Sequence, residues 1–430
     1  MLIIYNILLF LAAAIIAPYY LFIIIFRGKY RKSIIPKLGG KQADIFGGLQ
    51  GDKRLWIHAV SVGEVTAAAP IVTALKQKRP DVEIILSTST ETGQHMARQI
   101  VTAADAFFYF PLDFPCVVRK VIRQAQPVVF ALIETELWPN FLNTCRKHGV
   151  KILMINGRIS PRSFGKYFLT RFFWRRIFHY FSGAAMISDL DAQRIIKMGM
   201  PQDRIHILGN AKYDALAARA FDQVRQEISR RLNVRPAESF LVAGSTHPGE
   251  EEIIIDAYQQ ILAAHPEFKL IIVPRHVERT PSIMELLRQS GLTDIITMTE
   301  IIKDKKRGAE KVILVDVIGE LFKIYSVATV VYCGGSLVPK GGQNILEAAA
   351  WGKVIFYGPS MDDFREEKAL LESAGCGIMV KNARDLTRKL LRELENPAAL
   401  EQKGAAGKKA IAANRGAAAR YAQLIEKFLG

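Results

Sequence analysis

At 430 residues, half of them apolar and 9% aromatic, the chain has length for two domains with full cores and too much apolar content for disorder. Its formal charge of +17, from 58 basic against 41 acidic side chains, favours an anionic partner such as nucleic acid, acidic lipid or a phosphorylated substrate. Cys116, Cys145, Cys333 and Cys376 lie far apart with no C-x-x-C pair, which argues against a disulfide framework or a zinc site and for a reducing compartment.

Residues 1–26 carry no charge, and only Asn6 and Pro18 interrupt their apolar character. As a helix this stretch would extend about 39 Å, enough to cross a bilayer with some tilt. Arg27, Lys29, Arg31 and Lys32 follow, with Lys37 and Lys41 behind. The positive-inside tendency places the rest of the chain in the cytoplasm, and the cluster suits anionic headgroups. A cleaved signal peptide would carry basic residues before its apolar run, and none precede Arg27. The segment reads as a single-pass signal anchor.

An α/β series follows. Leu55–Val60 is a predicted strand, and Ser61-Val62-Gly63-Glu64 opens a helix to about Lys78, with Pro70 expected to kink or restart it. Glu64 therefore stands at a strand's carboxyl end, where open α/β sheets place ligands. It is a candidate general base or a carboxylate settling a helix dipole. Strands are expected at Glu83–Leu86, Phe107–Phe110 and Pro127–Ile133, the last delivering Glu134-Thr135-Glu136-Leu137-Trp138-Pro139. Folding does not need both acids there, although an N-cap with solvated carboxylates is the plain alternative. Lys151–Ile155 leads to Asn156-Gly157-Arg158, where Arg158 is a candidate anion ligand or a surface pair.

Residues 164–181 interleave aromatics with Lys166, Arg171, Arg175 and Arg176 without gathering the charges on one face. They suit a core helix with snorkelling ends or a membrane-surface helix, and nucleic acid less than either. After strand Ala184–Ile187, Asp189-Leu190-Asp191 imitates a D-x-D metal motif, but Ser188 and Asp191 fit a capping box and no metal is expected. Strand Arg204–Leu208 leads to Gly209-Asn210-Ala211-Lys212, whose lysine is a candidate for neutralising developing negative charge.

The charged stretch 215–236 reads as an interdomain connection, and a second α/β series begins at strand Phe240–Ala243. Strand Leu270–Val273 ends in Pro274-Arg275-His276, with Arg275 placed to grip phosphate. Strand Val312–Val315 leads to Ile318-Gly319-Glu320, where backbone groups can meet a base or ribose. Strand Ala328–Tyr332 runs into Cys333-Gly334-Gly335-Ser336 and then Gly341-Gly342-Gln343-Asn344-Ile345-Leu346-Glu347, before strand Val354–Tyr357. The glycines allow close backbone approach to a ligand, a helix opening near Asn344 offers free N–H groups, and Glu347 suits ribose hydroxyls. A tight turn with Asn and Glu as caps explains the same residues without a ligand. An alanine-rich helix from Ala405 to Leu429 closes the chain.

Ser61-Val-Gly-Glu64, Glu134-Thr-Glu-Leu-Trp-Pro-Asn140, Asn156-Gly-Arg-Ile-Ser160, Ser245-Thr-His247, Val273-Pro-Arg-His276 and Gly341-Gly-Gln-Asn-Ile-Leu-Glu-Ala348 occur in that order. Together they resemble the 3-deoxy-D-manno-octulosonic acid (Kdo) transferases of lipopolysaccharide inner-core assembly, along nearly the whole chain. The resemblance implies a GT-B glycosyltransferase with two Rossmann-like domains facing a cleft. It implies CMP-Kdo as donor, a lipid A precursor as acceptor at its 6′-hydroxyl, inversion at the anomeric carbon, and no metal or other cofactor. It assigns Glu64 as general base, with Glu134 and Lys212 supporting the transition state. Pro274, Arg275, Ile318, Gly319, Glu320, Asn344, Ile345, Leu346 and Glu347 would bind CMP, with Ser61 and Arg158 as acceptor or anion candidates. The family's acidic–basic pair near the anchor is replaced here by Pro36-Lys37 ahead of Leu38-Gly39.

The expected layout is an anchor at 1–26, an acceptor domain at 27–214, a connection at 215–236, a donor domain at 237–409 and a helix at 410–430 packing back on the acceptor domain. The expected location is the inner membrane, with the catalytic domains cytoplasmic. A UDP-sugar transferase or 2-epimerase, or a non-catalytic membrane-anchored lipid-binding protein, are the alternatives; nucleotide competition and a Glu64→Ala variant separate them.

Overall fold

A computed structural model describes residues 2–27, 31–40, 42–217, 219–236 and 238–430; Lys29 and Lys41 of the predicted basic cluster lie outside them. Contacts divide the chain into two units, Met1–Ala215 with Asn414–Gly430, and Leu216–Ala413.

The first unit holds a parallel seven-stranded sheet. Its strands are β1 (Arg54–His58), β2 (Glu83–Thr88), β3 (Ala106–Tyr109), β4 (Val129–Ile133), β5 (Lys151–Gly157), β6 (Phe181–Met186) and β7 (Ile205–Ile207), ordered β3-β2-β1-β4-β5-β6-β7. Ile57 pairs with Leu86 on one side and Ala131 on the other. Alternate residues feed opposite faces: Trp56 and Phe130 join one core, while Leu55, Ile57, Val129 and Ala131 join the other. Burial on both faces is why these strands read as continuous apolar runs. The strand order reverses between β1 and β4, so their carboxyl ends open on a topological switch point.

The second unit repeats the plan with β8 (Phe240–Thr246), β9 (Lys269–Pro274), β10 (Ile295–Thr297), β11 (Val312–Leu314), β12 (Val330–Cys333), β13 (Val354–Tyr357) and β14 (Gly377–Met379). Their order is β10-β11-β9-β8-β12-β13-β14, with the reversal between β8 and β12. The edge strands β10 and β14, three residues each, escaped the sequence reading because so short a run has no period to detect.

Several local expectations are corrected. The helix Val62–Lys78 runs on through Pro70 without a restart, with Val65, Ala68, Ile71, Val72 and Leu75 buried along it; packing outweighs the lost backbone bond. The closing helix is two helices, Pro397–Ala413 and Ala417–Leu429, separated at Gly416, whose φ of 91° is left-handed. The second of these buries Tyr421, Leu424 and Ile425 in the same core as helix Val62–Lys78. Asp214 Oδ1 accepts from Gly416 N at 2.7 Å and Oδ2 from Ala418 N at 3.1 Å, capping that helix from the short helix Lys212–Ala217. Within 215–236, Asp222–Arg231 is a helix of the second unit that buries Ile228.

Residues 164–181 are interrupted at Thr170, giving helices Pro161–Leu169 and Arg171–Phe178. Leu169 and Phe172 are 81% and 65% exposed, whereas Ile177 and Phe178 are buried in the core and Phe164, Tyr167, Phe173 and Trp174 pack against it half-buried. The segment is thus no single core helix: one side packs on the core and the other, with Leu169 and Phe172, is exposed. The 25-residue helix Leu2–Phe26, of mean hydropathy 2.6, fits a membrane anchor. Its first turns touch the first unit: Tyr5 Oη donates to Asp113 Oδ2 at 2.9 Å, and Asn140 Nδ2 donates to Asn6 Oδ1 at 2.6 Å.

Candidate active site

In the first unit, the ends of β1, β4 and β5 and the loop after β7 bring the predicted catalytic residues together. Glu64 lies in the first turn of helix Val62–Lys78 and is only 8% exposed. Its carboxylate accepts from Val60 N at 2.7 Å and from Ser61 Oγ at 3.2 Å. A carboxylate serving only as a helix cap would be held low by such bonds. Instead burial, with the Glu134 and then the Glu136 carboxylates adding to it, pushes Glu64 up to about 8. Among the described residues no cation stands within ion-pair distance of it. A group poised to take a proton near neutral pH needs those conditions.

Glu134 follows directly on β4 in a left-handed backbone conformation, φ 61°, and Asn156 near the end of β5 has the same conformation at 50°. Side chains with a Cβ adopt this region at a cost, and its recurrence at strand ends marks where the fold aims them. Lys212 Nζ donates to Glu134 Oε1 at 2.7 Å. Lys212 opens helix Lys212–Ala217, and the turn before it is tied down by Asn156 Oδ1, which accepts from Ala211 N at 2.9 Å. Among the described residues Glu136 has no lysine partner, and burial raises its carboxyl above the ordinary range. The two acids are therefore distinguished: Glu134 pairs with the cation and Glu136 does not. Ser61 is within reach of Glu64, whereas Arg158 joins the group through its backbone, its carbonyl accepting from Thr135 Oγ1 at 2.6 Å.

In the second unit, Pro274 ends β9, and Arg275 is exposed with its backbone N bonded to Thr246 O at 3.0 Å. Among the described residues the Arg275 side chain has no ion pair, yet its charge reaches the Glu347 carboxylate. Burial raises the Glu347 carboxyl, against the pull of Arg219, of the Asn344 amide at 3.2 Å and of Arg275. Ile345 and Leu346 are buried, so only their backbone can face a ligand. The helix expected from Asn344 starts at Leu346 and has five residues, too short for much of a dipole. Ile318 is 86% exposed and Gly319 has a φ of 96°. The Glu320 carboxylate is already engaged by Arg231 at 3.3 Å and Lys323 at 3.5 Å. Not every glycine of the long loop serves ligand access. A Cβ at Gly334 would strike the Ser245–Thr246 backbone and one at Gly358 the Ser336–Leu337 backbone, so these two permit chain-to-chain packing.

Residues 32–215 match the family described as 3-Deoxy-D-manno-octulosonic-acid transferase (kdotransferase). Over 377 residues the chain is 32% identical to the 3-deoxy-D-manno-octulosonic acid transferase of Haemophilus influenzae, covering 87% of each protein. The chain belongs to the Kdo transferase family. It is accordingly a glycosyltransferase. The Rickettsia felis 3-deoxy-D-manno-octulosonic acid transferase is 30% identical over 378 residues, 87% of this chain and 79% of that protein. The fold is that of GT-B-like enzymes. UDP-GlcNAc 2-epimerase from Neisseria meningitidis superposes with a TM-score of 0.58 at 13% identity over 88% of this chain and 99% of its own. A glycosyltransferase from Rickettsia africae gives 0.58 at 14% identity over 88% and 98%.

Two groups in these Kdo-transferase-type sites were not singled out from sequence. Asn156 was read only as part of the stretch after a strand, and Glu250 simply begins the run Glu250-Glu251-Glu252 beyond strand Phe240–Ala243. Neither carries a local signal, because the partners of each lie far away along the chain.

Proposed function

We propose that the protein transfers Kdo from CMP-Kdo to the 6′-hydroxyl of a tetraacyl lipid A precursor, with inversion at the anomeric carbon. The observation that carries this reading is Glu64: buried, at the switch-point end of β1, and raised to about 8 beside Glu134. As general base it takes the proton of the acceptor hydroxyl as that oxygen attacks the anomeric carbon. The C–O bond to the phosphate of CMP breaks, and the negative charge leaves with CMP. Lys212, held by Glu134, supports the developing charge from the first unit. Pro274, Arg275, Ile318, Gly319, Glu320 and Asn344 through Glu347 hold CMP in the second, Arg275 on the phosphate and Glu347 on the ribose.

The acceptor is a phosphorylated, acylated disaccharide, so the enzyme works at a membrane. Helix Leu2–Phe26 supplies a single-pass anchor in the inner membrane, with both units in the cytoplasm. A spanning helix gives up the Tyr5–Asp113 and Asn6–Asn140 hydrogen bonds and leaves Asp113 and Asn140 to water. The exposed Leu169 and Phe172, flanked by Arg171, Arg175 and Arg176, form a second surface suited to an anionic leaflet.

The test is incubation of the purified protein with CMP-Kdo and the tetraacyl precursor, read by mass spectrometry. Addition of Kdo to the acceptor is expected. Hydrolysis of CMP-Kdo without transfer, or transfer only from UDP-sugars, would overturn the reading.

A further inference from the structure

The glycine-rich turn after β12 looks open to a phosphate, but its amides are taken. Glu250 Oε2 accepts from Gly335 N at 2.7 Å and His247 N at 3.0 Å. Its Oε1 accepts from Tyr332 Oη at 2.7 Å, Ser336 N at 3.0 Å and Leu337 N at 3.0 Å. The side chain is fully buried, and among the described residues no cation pairs with it, so backbone dipoles and one phenol carry the whole charge. An anion arriving at this turn would meet a carboxylate.

The consequence runs outward from the turn. Gly335 O accepts from Gly342 N at 2.8 Å, Ser336 O from Ser360 N at 2.9 Å, and Ser360 Oγ from Gly341 N at 3.0 Å. Ser336 Oγ also accepts from Gly358 N at 2.8 Å. The positions of Gly335 and Ser336 thus set Gly341 and Gly342, which lead directly into Asn344–Glu347. On the other side His247 N is fixed next to Thr246, whose carbonyl holds Arg275 N at 3.0 Å. One carboxylate ties together the ends of β8 and β12, where the second sheet reverses.

We propose that Glu250 is a positioning residue for the donor: an internal anion that fills the glycine-rich turn and presets the two nucleotide-binding segments, 274–275 and 344–347. This rests on the CMP-binding reading given above. The phosphate then falls to side chains such as Arg275, not to the amides of residues 335–337.

The experiment uses the full-length protein in detergent and titrates CMP calorimetrically, alongside donor and acceptor kinetics. In Glu250→Gln the amide oxygen can still face three donors, but its NH2 opposes the Gly335 and His247 amides. The dissociation constant for CMP and the KM for CMP-Kdo are expected to rise about 10–100-fold, with kcat and the acceptor KM little changed. Glu251→Gln is the matched control: it breaks the buried pair with Arg279, 2.6 Å long, and touches no part of the turn. It is expected to lower the melting temperature while leaving CMP affinity alone. If Glu250→Gln fails to fold, Tyr332→Phe removes one donor from Oε1 and is expected to weaken CMP about fivefold. CMP affinity within twofold of wild type in the folded variant, or equal weakening by Glu251→Gln, overturns the proposal. Absence of CMP binding by the wild-type protein instead overturns the nucleotide reading itself.

Discussion

The Lys212 ammonium stands 2.7 Å from the Glu134 carboxylate. The cation delivered by the loop after β7 is therefore engaged by one acid of the strand-end cluster. Glu64, buried beside that acid, keeps its proton to a higher pH than an ordinary glutamate. This division of labour makes the roles separable by experiment.

As a base, Glu64 acts only when ionised, and its folded-state value of about 8 lies above the ordinary glutamate range. The kcat/KM of the wild-type enzyme is expected to climb with pH and level off above about 8. Glu64→Gln should lose about 10²–10⁴-fold in rate. A flat profile, or near-normal turnover by the variant, would remove Glu64 from the chemistry.

Glu134 is the nearby charge that contributes most to raising Glu64 after burial. Glu134→Gln removes that repulsion and frees Lys212, so the inflection should move to lower pH while kcat falls. Lys212→Met leaves Glu134 without its cation and should move the inflection upward, with kcat down about 10²-fold. A pH profile of each variant decides, and identical inflections in both would refute the coupling.

The same raised value has a stability cost of known sign. The folded protein holds the Glu64 proton more tightly than the unfolded chain, so the cost is fully present above about 8 and fades as pH falls toward the ordinary glutamate value of 4.5. Glu64→Gln should therefore be more stable than wild type at pH 9, by about 1–3 kcal/mol, with the gap closing in acid. Denaturant melts at both pH values test this, and a variant less stable at pH 9 would contradict it.

Asp214 caps helix Ala417–Leu429 through the amides of Gly416 and Ala418. Asp214→Ala should cost about 1–2 kcal/mol, seen as a lower melting temperature. Because Lys212 opens the same short helix, kcat should also drop, and an unchanged melt would show that the cap is dispensable.

Leu169 and Phe172 are exposed beside a cluster of arginines. Leu169→Glu and Phe172→Glu should reduce activity on vesicle-borne acceptor several-fold, by roughly 1 kcal/mol or more of lost apolar burial. Activity on detergent-dispersed acceptor should be spared, and equal loss in both assays would argue against membrane contact.

Much of the architecture is legible in local sequence. Runs such as Val129–Ile133 and Val354–Tyr357 announce strands buried on both faces, because no residue in them can face water. Glu64 stands out because it follows such a run and opens a helix. Pro70 and Gly416 show the limits of local reading: packing carried the helix through the proline, whereas left-handed backbone at the glycine divided the closing helix.

The order of apolar runs, the charge-free first 26 residues and the strand-end motifs are written in the chain itself, since each depends only on neighbours a few positions away. Which acids share a field, which amides are already occupied and which lysine is paired depended on residues 78 and 85 positions apart meeting at a sheet's reversal, as Lys212 meets Glu134 and Gly335 meets Glu250. Ionisation and hydrogen bonding respond to distance in space, and only the folded chain sets that distance.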